Sequence, residues 1–130
     1  MKPTNVQQYV LYPVHTLLQW LPLAWCVLFY TYYFQMTHML GAWPIRFKND
    51  PGLYIQDHPL VSFETGLLQF VLYGLVLLIP AYFFLNIVLR ITGTDIAERL
   101  LSKRRGVVFF AGCVLLICTL FSGPFAWFMD

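Results

Sequence analysis

The chain holds 130 residues, 59% of them hydrophobic and 11% charged, with a net charge of +2 and a mean hydropathy of +0.67. A soluble domain draws roughly 25% of its residues from Asp, Glu, Lys and Arg, so this composition excludes a surface that faces water all round. The expected class is an all-α integral membrane protein with three transmembrane helices in one domain, covering residues 1–130.

Residues 1–13 are polar to amphipathic, and Lys2 is their only charged side chain. Tyr9, Tyr12 and Trp20 suit the headgroup level, where a flat ring with one polar edge is stable. The first span is expected over about 14–40, with a possible bend at Pro22, which lacks a backbone donor. At 100° per residue, His15, Gln19 and Cys26 fall on one face, while Thr31, Gln35 and His38 gather roughly opposite. The sharper reading makes each group a handle for a different neighbour or cofactor. Snorkelling and hydrogen bonding between helices near the membrane surfaces is the more economical account. Leu23-Ala24-Trp25-Cys26 looks superficially like a lipoprotein cleavage site, but Trp25 is too bulky to precede the cleaved bond. The run is therefore read as an anchor rather than a removed signal. Cys26, Cys113 and Cys118 all lie in apolar runs and form no CxxC pair.

Gly41 should end the first helix. The outer loop, 41–61, carries prolines at 44, 51 and 59 and a β-turn signal at Asp50-Pro51-Gly52-Leu53. Trp43, Ile45 and Phe47 alternate with Arg46 and Lys48, as in a segment lying on a membrane surface. The second span, 62–91, fixes the class: no residue from Gly66 to Leu85 is charged, and about 20 apolar residues cross the ~30 Å of hydrocarbon. Gly66 and Gly74 sit on nearly one face and admit another helix backbone, and Pro80 is expected to kink the span.

The inner segment, 92–105, is expected to form a short amphipathic helix, with Asp95 and Glu98 in capping-box spacing. Arg90, Arg99, Lys103, Arg104 and Arg105 are the candidates for binding anionic lipid headgroups. The cluster is short and adjoins a span, so nucleic acid is not the expected partner. The third span is expected over 106–122, bent or broken at Ser122-Gly123-Pro124, with Gly112 and Thr119 as a packing seam. The basic residues place 92–105 and the N-terminus in the cytoplasm, with 41–61 and the C-terminus outside, in a bacterial or organellar inner membrane.

No nucleophile constellation, acid/base pair, phosphate loop or zinc spacing is present in the sequence, so an enzyme is not expected. Residues 60–91 contain no histidine to hold a haem at mid-membrane. His38 and His58 fall at the same outer depth and are the candidate ligands for haem or pigment. Glu64 is the candidate group for quinone or proton handling, although a carboxylate in the first turns of a helix also stabilises the helix end. Aromatic residues reach 18%. They fit a cofactor pocket, or more simply the filling of gaps between helices. The leading expectation is a non-catalytic accessory subunit of a larger membrane complex, respiratory or photosynthetic, that binds no cofactor. The alternative is an anchor carrying haem, pigment or quinone. A small oligomeric transporter or channel comes third, for want of charge at mid-membrane.

Overall fold

The computed structural model describes residues 5–45, 48, 58–92 and 103–129. The described residues are all-helical apart from turns and short connections. Helix α1 spans Asn5–Leu40, α2 Pro59–Thr92, α3 Lys103–Leu120 and the short α4 Gly123–Phe128. Two of them, α1 with 36 residues and α2 with 34, are long and apolar enough to cross a membrane. The amphipathic helix expected within 92–105 falls mostly outside the described residues, as do Arg99, the Asp95–Glu98 pair and the turn at 50–53.

Two boundaries differ from expectation. Helix α1 does not begin after Pro13 but runs through it from Asn5 and continues past Pro22. A proline near a helix's wet end frees a carbonyl that water can take, so it need not stop the helix. Helix α2 is likewise continuous across Pro80, which is exposed. Finally, α3 ends at Leu120. At 1.5 Å per residue its 18 residues span about 27 Å, just short of the hydrocarbon thickness.

The buried positions explain how the helices fit. On α1, His15, Gln19, Pro22, Cys26, Phe29, Tyr33 and Met36 are buried, alternating steps of four and three. Phe109, Gly112, Leu116 and Thr119 follow the same rule on α3, as do Val61, Thr65, Leu68, Leu75, Tyr82 and Leu89 on α2. That spacing averages 3.5 residues, the repeat of knobs-into-holes seams between slightly inclined helices. Helix α1 is the hub, packing against both α2 and α3. A Cβ on Gly112 would lie 3.0 Å from the Leu23 backbone nitrogen, so only glycine lets the two backbones approach this closely.

The main core lies where the C-terminal half of α1 meets the N-terminal half of α2. Trp25 stacks on Phe29 at 5.2 Å and donates from its indole nitrogen to the Leu68 carbonyl at 2.9 Å. The last aromatic residues pack back on this core. Ser122 caps α4, Pro124 occupies its first turn, and the helix folds back so that Trp127 and Phe128 are buried. Their rings meet Phe29, Tyr32 and Tyr33 of α1 edge-on or tilted, at 5.5–6.4 Å. The end of α1 is fixed by Gly41 at φ +64°, a left-handed cap that glycine adopts without strain. The chain then turns so that the Tyr33 hydroxyl donates to the buried Pro44 carbonyl at 3.3 Å.

Candidate functional site

Polar side chains gather at two places, one at each end of the bundle. The first joins the N-terminal half of α1 to the far end of α2 and the start of α3. His15 is fully buried and its Nε2 lies 3.1 Å from Asn86 Oδ1. Asn86 spends its amide Nδ2 on the Tyr82 carbonyl at 2.8 Å, so its oxygen faces the imidazole and His15 must be the donor. In the neutral ring Nδ1 is then a bare acceptor, and it is buried without a partner. The ring also packs on Tyr82 at 5.0 Å, and Tyr82 lies 4.1 Å from Phe109 of α3.

One turn further along, Gln19 Nε2 donates to the Arg105 carbonyl at 3.0 Å, leaving Gln19 Oε1 buried and unpartnered. The Arg105 side chain runs back along α1 to Tyr12. Its Nη2 donates to the Tyr12 hydroxyl, and the guanidinium lies over the ring, 4.6 Å from its centre. Arg105 Nη1 and Thr16 Oγ1 are also buried without partners. Four unspent polar atoms therefore belong to one patch of α1 and the arginine that crosses it. Buried polar atoms are nearly always paired, so such a concentration marks a place of interest.

The second place lies between α1 and α2 at the other end. Thr65 Oγ1 donates to the Val61 carbonyl at 2.8 Å, so the Tyr32 hydroxyl is the donor in their 2.8 Å contact. Beside them, Glu64 Oε2 is buried without a partner and lines a cleft of about 110 Å3 with Thr31, Gln35 and Leu67. Liquid water takes about 30 Å3 per molecule, so the cleft suits a few waters or the polar edge of a ligand, not a haem.

The expected site residues are distributed as follows. His38 and His58 are both exposed, and neither takes part in the helix seams. Glu64 does lie at a cleft. Arg90 is exposed and Arg105 is tied to Tyr12, while the side chains of Lys103 and Arg104 lie outside the described ones. Gly112 is the closest approach of α3 to α1, and the buried Thr119 lies 4.0 Å from Cys26 Sγ. Among the described residues a Cβ on Gly66 finds nothing within 4 Å, and one on Gly74 only its own helix's Leu78. The polar patch itself was half visible, since His15 and Gln19 share a face, whereas nothing marked Asn86 and Arg105 as their partners. No group of three or more metal-binding side chains occurs among the described residues. No family model, curated protein or solved structure matches this chain.

Proposed function

We propose that this chain is a small integral membrane protein, crossing three times, that serves as a non-catalytic accessory subunit of a larger membrane complex. The third crossing uses α3 with the turn after it. The N-terminus and 92–105 are cytoplasmic, and 41–61 and the C-terminus lie outside.

The observation that supports this reading is the face of α2. Only 11% of its most apolar stretch is buried, and Phe70, Leu77 and Ile91 are 75–80% exposed. Soluble monomers rarely leave contiguous apolar patches beyond a few hundred Å2, whereas lipid tails or a partner's helices cover such a face without cost. The open backbone at Gly66 lies on this uncovered side and suits a close-packing helix from another chain. The second reading, a cofactor-bearing anchor, draws on the Glu64 cleft, where a quinone or pigment would present a polar edge to the carboxyl group.

Native mass spectrometry after mild detergent extraction tests the leading reading. The expected outcome is a discrete assembly larger than the 15.2 kDa chain. Recovery solely as a free monomer overturns it. A visible absorption band in the purified chain that Glu64→Gln removes would favour the anchor instead.

A further inference from the structure

We propose that α1 carries a binding site for one anionic phospholipid, with the phosphate at Arg105 and an acyl chain in the groove that begins at Tyr12. The inference rests on the membrane reading above and assigns one of its basic residues a defined ligand.

The groove has a volume of about 510 Å3 and runs along the outer face of α1 from Tyr12 to Ala24. The sequence makes it by setting the short Thr16 between Tyr12 and Trp20 and the short Ala24 one turn beyond Trp20. At ~1.5 Å per residue it extends about 18 Å, close to the ~15 Å depth of one leaflet. Its walls are almost wholly apolar, as an acyl chain requires.

Its polar end has the opposite character. The guanidinium of Arg105 lies over the Tyr12 ring at 4.6 Å, so a cation stands at the mouth of an apolar groove. That juxtaposition is the shape of a phospholipid. Arg105 Nη1 and Thr16 Oγ1 are buried and have no hydrogen-bond partner among the described residues. The Tyr12 hydroxyl accepts from Arg105 and so keeps its own hydrogen to give. At this exposed contact a guanidinium and a phenol hydroxyl can both donate to a group that only accepts. A phosphate meets this demand, and a guanidinium binds it through two parallel N–H groups. Glu64, the only acidic side chain among those described, is near the opposite end of α2 from Asn86 and does not neutralise this charge. Residues 90–105 set five basic side chains against Asp95 and Glu98, so the headgroup meets a net positive charge, and a lipid with net negative charge is preferred over a zwitterionic one.

The test is native mass spectrometry of the detergent-purified full chain, titrated with phosphatidylglycerol or with phosphatidylcholine of the same acyl chains. The wild type should retain one phosphatidylglycerol in preference to phosphatidylcholine. Arg105→Ala should weaken phosphatidylglycerol retention about five-fold, the worth of one basic residue at an anionic surface. Ala24→Trp fills the exposed groove without touching the arginine and should reduce retention of both lipids. Equal retention of the two lipids by the wild type overturns the proposal, as does unchanged phosphatidylglycerol retention in both variants. Alkaline carbonate extraction separates the two possible failures. A chain released from membranes refutes the membrane reading itself, whereas a chain that stays yet shows no lipid preference refutes the site alone.

Discussion

His15 is joined to α2 by a single side-chain hydrogen bond, and the strength of that bond can be isolated. His15→Phe keeps the ring against Tyr82 but leaves Asn86 Oδ1 without its donor, which should cost about 1–2 kcal/mol. Asn86→Leu strands the imidazole in the same way. The double variant should cost less than the sum, with a coupling of about 0.6 kcal/mol, typical of hydrogen bonds between membrane helices. Reversible unfolding of the four proteins in a detergent–lipid mixture measures it, and zero coupling would mean that the bond is not made. The residues differ in how far sequence revealed them. A step of 100° placed His15, Gln19 and Cys26 on one face, because that relation is internal to one helix. Asn86 and Arg105 join them only through the rotation and depth of α2 and α3, which no local pattern encodes.

Two glycines of similar sequence context play different parts in their helices. Gly112→Ala sets a methyl group 3.0 Å from the backbone of α1, where nothing flexible can yield, and should destabilise by about 1–3 kcal/mol. Gly66→Ala meets open space and should be neutral or gain up to ~1 kcal/mol from helix propensity. The same unfolding assay compares them. Gly66→Leu extends the contrast, because it should leave the isolated chain folded while removing the larger assembly from the native mass spectrum. The packing seams could not be read in advance, and α2 shows why. Its buried residues Val61, Leu68, Leu75 and Leu89 are no more apolar than exposed Leu67, Val76 or Ile91. Where almost every side chain is hydrophobic, hydropathy reveals a long helix but not its inward face. The start of α1 was no easier to read, since the helix begins at Asn5, ahead of the apolar run expected from about residue 14.

At the scale of the molecule, the fold depends on a reversal at Ser122 that brings the last aromatic residues back to α1. The break was legible from Ser122-Gly123-Pro124; the direction taken after it was not, because a six-residue helix has no periodicity to betray where it packs. Trp127→Ala should remove about 3–5 kcal/mol and lower the thermal midpoint in detergent, with the far-UV helical signal retained below the transition. The central position of α1 has a further consequence, which concerns time. It is the less apolar of the two long helices, and Gln19 and Pro22 are completed by Arg105 and Gly112 of α3, which the ribosome makes after α2. During synthesis, α1 must therefore wait with its polar face unsealed while the whole of α2 is made. A nascent chain stalled before residue 103 would hold Gln19 without the Arg105 carbonyl to which it donates. In that intermediate the polar face of α1 is still open on the side that α3 later covers.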